Sequence, residues 1–153
     1  MKQYLLDTNI CVNYLNALRK KTEKRSIEEQ RVFEKIEQIK DTVDLYLSQA
    51  GVAELRFGAE KSQNRTKNLQ RIEKLKEAFP ELKIDDDVWD DDVWDDYVRI
   101  KAELSKFGRS IHDMDLLIVA TAKRYDLVLI SNDKDMNNVD FLVENKVERE
   151  SWL

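Results

Sequence analysis

The chain alternates short apolar runs with longer stretches in which apolar residues recur every three or four positions. Gln3 to Leu6 and Asp44 to Ser48 read as short strands. Leu127 to Ile130 is an unbroken apolar run of the kind buried inside a parallel sheet. Leu82 to Ile84 and a stretch beginning at Val147 are candidates for a third and a last strand. Between them the period is helical. Ile10, Tyr14 and Leu18 share one helix face, and Val32, Phe33, Ile36 and Ile39 share another within Glu28 to Lys40. Val52, Leu55 and Ala59 mark a helix after the second strand; Leu69, Ile72, Leu75 and Phe79 mark the next, closed by Pro80. Trp89, Val93, Tyr97, Ile100, Leu104 and Phe107 define an amphipathic helix, with Gly108 suited to its C-cap. Leu116 to Ala120 is apolar on every side, so the helix opening near Asp115 is expected to be buried. Strands alternating with helices predict one three-layer α/β domain over residues 1–153, with a central, mainly parallel sheet.

Composition sharpens this. Three Gly and one Pro in 153 residues favour long helices and short loops over a many-turned β sandwich. No apolar run approaches the ~20 residues of a membrane span, so no membrane association is expected. The apolar start meets the charge of Asp7 too early for a secretory leader, and the single Cys11 precludes an internal disulfide, which together predict a cytoplasmic protein. The net charge of −5 argues against a polyanion partner until its distribution is considered. Eight aspartates fall between Asp85 and Asp96, where the pentad Asp-Asp-Val-Trp-Asp is written twice, and without them the remainder carries +3. They are expected near a helix N-terminus, where the dipole favours them. Two stretches are basic, Arg19 to Arg25 and Lys61 to Lys76, so a local cationic face for RNA remains open, with Lys61 and Arg65 as its candidate phosphate contacts.

The candidate chemistry is carboxylate chemistry. Asp7 ends the first strand, Glu54 lies one to two turns into the helix after the second, Asp115 opens the buried helix, and Asp133 follows the strand 127–130. In an open parallel sheet, sites form in the crevice outside the carboxyl ends of the strands, where such acids converge. Carboxylates brought together repel one another unless some hold protons or a cation joins them. All-oxygen ligands suit Mg²⁺ or Mn²⁺ rather than zinc, and the chain has only one His and one Cys. Two such ions ~3.5–4 Å apart can activate water and stabilise the leaving oxygen of a phosphodiester. Taken singly, each of these residues has an ordinary role. A strand-end Asp is commonly a cap, Glu54 a solvated helix residue, His112 a surface residue, and Cys11 a core residue. Trp89 and Trp94 read as core or partner contacts rather than base-stacking platforms.

Four segments in order resemble the PIN-domain nucleases, in particular VapC-type toxins. Leu6-Asp7-Thr8-Asn9-Ile10-Cys11 is similar to the opening strand and first acid. Ala53-Glu54-Leu55 followed by Gly58-Ala59-Glu60-Lys61-Ser62 is similar to the second-acid helix. Gly108-Arg109-Ser110-Ile111 with Asp115 to Ala122 resembles the third-acid helix, and Leu127 to Asp133 the strand and fourth-acid loop. The resemblance implies a sheet ordered 3-2-1-4-5, Mg²⁺ or Mn²⁺, endoribonuclease activity, a homodimer, and a small antitoxin protein that blocks the site. It carries the catalytic, metal-binding role to Asp7, Glu54, Asp115 and Asp133, and a ligand- or water-orienting role to Asn9 and Ser131. Asp113 and Asp135 are spare acids for the fourth role. The segment around Gly58 to Ser62 resembles tRNA-cutting members.

The chain departs from the pattern in a longer stretch between Asp7 and Glu54, in His112-Asp113, and in the doubled pentad; none removes an acid. The antitoxin is expected to anchor on apolar residues around Tyr14, Leu18, Val32 and Phe33 and to send an arginine toward Asp7 and Asp115. Three readings compete. A stand-alone processing nuclease would share the chemistry without the antitoxin. A phosphoaspartate protein would need Asp-x-Asp or an acid pair at the first strand, where this chain has Asp7-Thr8-Asn9. A non-catalytic PIN-like binding module would tolerate loss of acids, and all four are present.

Overall fold

The computed structural model describes residues 2–85 and 92–153. Five short parallel strands form one sheet: β1 (Tyr4–Leu6), β2 (Leu45–Ser48), β3 (Glu81–Leu82), β4 (Val128–Ile130) and β5 (Arg149–Glu150), in the order β3-β2-β1-β4-β5. The helices are α1 (Thr8–Arg19), α2 (Ile27–Ile39), α3 (Gln49–Glu60), α4 (Arg65–Ala78), α5 (Val93–Lys106) and α6 (Asp113–Arg124), with 3-10 turns at Thr22–Lys24 and Lys134–Phe141. The expected three-layer domain with strand order 3-2-1-4-5 is what forms.

Because helices cover both faces, the inner strands are apolar on both sides. Leu5 and Leu129 point into one core layer, with Ile100, Leu104, Ile118 and Val119 of α5 and α6. Leu6, Leu47, Val128 and Ile130 point into the other, with Ile10, Ile36, Leu55 and Ile72. Registers of Leu6 with Leu47 and Ile130 bring the carboxyl ends of the three inner strands level. β1 is the middle strand and its successors lie on opposite sides, so the crevice between β1 and β4 is the topological switch point of the sheet.

Helix ends follow their capping residues. Ser26 and Glu29 form a reciprocal capping box on α2, and Asp92 with Asp95 does the same for α5. The aspartate-rich segment thus does feed a helix N-terminus, although Trp89 and most of the doubled pentad lie outside the described residues. Gly108 takes φ 67° just past the end of α5, the left-handed turn its position required. Phe107, the C-cap of α5, is 55% exposed rather than on the buried face. Among the described residues no helix is long and apolar enough to cross a membrane.

Candidate active site

Asp7 occupies the switch point. It leaves β1 and becomes the N-cap of α1, accepting a hydrogen bond from the Thr8 backbone N–H at 2.7 Å. Its other oxygen accepts from the Ser131 hydroxyl at 2.6 Å, and the residue is only 2% exposed. Ser131 follows β4, so this bond ties the ends of the two neighbouring strands. The same Ser131 oxygen accepts from the Asp133 backbone N–H at 3.2 Å. Asp133 in turn caps the turn Lys134–Phe141, accepting from the Asp135 N–H at 2.9 Å. One small hydroxyl therefore sets both the rotamer of Asp7 and the loop that carries Asp133.

Glu54 arrives from α3. Ser48 ends β2 and caps that helix through the Gly51 N–H at 2.9 Å. The Glu54 carboxylate accepts a 2.8 Å hydrogen bond from the Thr8 hydroxyl across the crevice. Gly51 makes room for this meeting: a Cβ there would stand 2.9 Å from Ser48 Oγ and 3.4 Å from Thr8 Oγ1. Asp115 lies in the first turn of α6, and the positive end of that helix dipole, like that of α1 at Asp7, eases negative charge.

The four acids act on one another. Asp115 is pushed up to about 6, first by burial and then by the charges of Asp7, Glu54 and Asp133. Burial likewise raises Asp7, helped by Asp133 and Glu54, while the hydrogen bonds from Ser131 and Thr8 pull the other way. Among the described residues, no three acids are gathered closely enough to cage an ion with their side chains as they lie. The donor set nevertheless fits a hard divalent cation, being all oxygen and mutually repulsive. Asn9 Oδ1, buried without a hydrogen-bond partner among the described residues, is a further acceptor of the kind that ion-bound water satisfies.

The remaining expected residues divide. Asp113 is exposed and turned to α5, accepting from the Tyr97 hydroxyl at 2.8 Å and from Lys101 at 2.9 Å, with its pKa lowered by those contacts. Asp135 is exposed and serves the loop through its backbone. Asp113 thus faces α5, and Asp135 meets Asp133 through its backbone N–H. Lys61 caps α3 with its ammonium 4.9 Å from the Phe57 ring, and Arg65 is paired with Glu60. His112 is exposed at the start of α6 without a side-chain cap bond. Cys11 is buried, and burial followed by the Asp7 charge pushes its thiol up, which leaves it a core residue. Of the residues expected to anchor a partner, Tyr14, Val32 and Phe33 pack into the core layer beside α1 and α2, and Tyr14 stacks on Phe33; only Leu18 is exposed. Sequence reasoning overlooked Thr8. Its one signal is a hydroxyl directly after the strand-end acid, a pattern that capping alone also produces.

The profile of the PIN domain matches residues 4–142. A fold with this strand order and an acidic switch-point crevice, matched by that profile over most of its length, defines the class: the chain belongs to the PIN-domain family. Among individual proteins, it is 32% identical over 133 residues to Ribonuclease VapC2 of Haemophilus influenzae, covering 87% of this chain and 88% of that protein. It also resembles a chain of VapBC-1 from nontypeable Haemophilus influenzae, at 26% identity and TM-score 0.72 over 97% of both chains. A chain of VapBC2 from Rickettsia felis, solved bound to a DNA fragment from its promoter, shares the fold at TM-score 0.76, 21% identity and 98% coverage of both.

Proposed function

We propose that this chain is a divalent-metal-dependent endoribonuclease, using Mg²⁺ or Mn²⁺, and the toxin of a toxin–antitoxin pair. One observation supports the reading: Asp115 is held at about 6, first by burial and then by the charges of Asp7, Glu54 and Asp133, which come from other elements of the chain. Such a crevice is costly for a protein that does nothing with it. The relative named Ribonuclease VapC2 supplies the substrate class, and the VapBC complexes supply the kind of partner.

Asp7, Glu54, Asp115 and Asp133 would hold the ion. When bound, it supplies positive charge against the scissile phosphate and a more acidic water. The chain's own part is positional: Ser131 fixes Asp7 and the Asp133 loop, and Thr8 aims Glu54. Attack by water rather than by the ribose 2′-hydroxyl gives 5′-phosphate and 3′-hydroxyl ends. The resemblance noted around Gly58 to Ser62 makes tRNA the first substrate to try. A small antitoxin carrying an arginine matches an acidic crevice in charge. Exposed Phe57 on α3 and Trp94 and Val98 on α5 offer apolar surface that a second copy would cover in a homodimer, within a cytoplasmic protein.

The test is cleavage of total tRNA by the purified chain with Mg²⁺, Mn²⁺ or excess EDTA, with end-group analysis. The expected result is metal-dependent cleavage, abolished in Asp7→Asn with the fold intact. Cleavage that persists in EDTA, or that leaves a 2′,3′-cyclic phosphate, overturns the proposal. Co-expression with its gene neighbour tests the toxin role: a freely active chain that forms no complex is a stand-alone nuclease.

A further inference from the structure

A cavity of about 280 Å³ is lined in part by Glu54 of the acid site and by Thr8, which hydrogen-bonds it. Its walls come from α1, α3 and α4. Val12, Leu55 and Ile72 make an apolar lining, and Arg19 and Arg71 stand at its margin.

Several cations of the chain are paired with carboxylates. Arg65 is paired with Glu60, Lys20 with Glu29, and Arg149 with Asp140. Among the described residues, neither Arg19 nor Arg71 has a carboxylate partner. Arg71 is instead held by neutral groups: it donates to Asn68 Oδ1 at 2.7 Å, and Asn68 donates to Ser62 Oγ at 2.9 Å. That relay fixes the half-buried guanidinium beside the cavity without cancelling its charge. Arg19 leans on Asn16 Oδ1 at 3.4 Å. Two guanidiniums without carboxylate partners, one from α1 and one from α4, line a hollow that Glu54 also lines, and they match a phosphate chain in charge. The apolar lining between them suits the face of an unstacked base.

We infer that this cavity between α1, α3 and α4 is a nucleotide subsite, in which single-stranded RNA next to the scissile phosphate places one base against Val12, Leu55 and Ile72 and its phosphates on Arg19 and Arg71. The inference rests on the endoribonuclease reading for its ligand, and it moves the cationic contact from Lys61 and Arg65 to the two arginines beside the acids. It also provides a way to test occupancy without touching a charge. Gly58 lines the cavity, and a Cβ there meets nothing within 4 Å. Gly58→Leu would therefore enter the hollow while relieving a helical glycine of its entropic cost.

The experiment measures fluorescence anisotropy of a fluorescein-labelled single-stranded RNA dodecamer against salt, in EDTA, and steady-state cleavage of the same RNA with Mn²⁺. Arg19→Ala and Arg71→Ala are each expected to weaken binding about tenfold, to lower the salt slope by about 0.7, and to raise KM more than they lower kcat. Arg71→Lys restores the slope, and Arg65→Ala changes little. Gly58→Leu weakens binding about tenfold with an unchanged slope and a melting temperature no lower than that of the unaltered chain. Unchanged affinity and KM in both arginine variants and in Gly58→Leu overturn the subsite, as does loss of partner-protein capture with RNA binding intact. The two readings fail separately. A chain that binds RNA through these arginines yet cuts nothing refutes the nuclease and keeps the subsite. One that cuts at unchanged KM without them refutes the subsite and keeps the nuclease.

Discussion

Replacing Asp115 by Asn probes the electrostatics of the crevice with no RNA present. In excess EDTA at pH 7 the ionised Asp115 suffers from burial and from the charges of Asp7, Glu54 and Asp133, which together move its pKa from 3.8 to about 6. Ionising an acid held there costs about 3 kcal/mol more in the folded than in the unfolded chain. Asp115 is part-exposed, and solvent screening reduces this to ~1–2 kcal/mol. Asn has nearly the same shape and no charge, so Asp115→Asn should be more stable than the unaltered chain by ~1–2 kcal/mol. A raised acid binds its proton more tightly when folded, so the penalty is absent below the unfolded value of 3.8 and complete only above about 6. The advantage of Asn must therefore shrink as pH falls through that window. Urea unfolding at several pH values, followed by tryptophan fluorescence, measures it. Adding Mn²⁺ should reverse the order, since an ion bound by the native acids stabilises the unaltered chain and not the variant. An Asn variant that is no more stable at pH 7 in EDTA, or whose gain is the same at pH 4, refutes the coupling of these acids.

Three further outcomes follow from the hydrogen bonds around the site. Thr8→Val removes the donor to Glu54 at nearly constant volume; metal affinity by calorimetry should fall about tenfold or more, with Thr8→Ser restoring it. Gly51→Ala forces its Cβ against Ser48 Oγ, so activity should drop while the melting temperature moves little, because a lost cap of about 1 kcal/mol offsets the helical gain. Glu103 accepts from the backbone N–H groups of Val143 and Asn145 and from the Asn145 side chain; Glu103→Ala should cost about 2 kcal/mol in urea unfolding and expose residues 142–147 to hydrogen exchange, with catalysis by the remaining folded protein unchanged.

The legibility of this chain follows burial. β1, β2 and β4 are buried on both faces, so their apolar runs stand out, and the strand-end acids can be located from them. The edge strands are another matter. β3 forms at Glu81–Leu82 rather than 82–84, because Leu47 and Ser48 of β2 dictate which residues they meet. β5 forms at Arg149–Glu150, two charged residues that pair with Leu129 and Ile130 by backbone alone and leave no apolar signal. Within the site, Asp7, Asp115 and Asp133 are legible because each ends or opens a recognisable element, and Glu54 because it lies on the helix that follows β2. Thr8, Gly51 and Arg71 are not, since their roles exist only once α3 and α4 have folded against α1.

The distribution of charge then resolves what net charge obscured. An RNA-handling site made of four carboxylates repels its own substrate and cannot supply affinity by itself. Attraction must come from cations close enough to share the strand, yet kept from collapsing onto the acids. The fold achieves this separation with rigid elements. Asp7 and Asp115 are fixed at helix N-termini, whereas Arg19 and Arg71 stand on α1 and α4 and line a hollow that Glu54 also lines. Among the described residues neither arginine forms an ion pair with these acids. Asp92 and Asp95, among the described aspartates before and in α5, cap their helix. Their share of the negative charge is therefore a property of that helix start, and an overall charge of −5 is compatible with a polyanionic substrate drawn to the opposite side of the crevice.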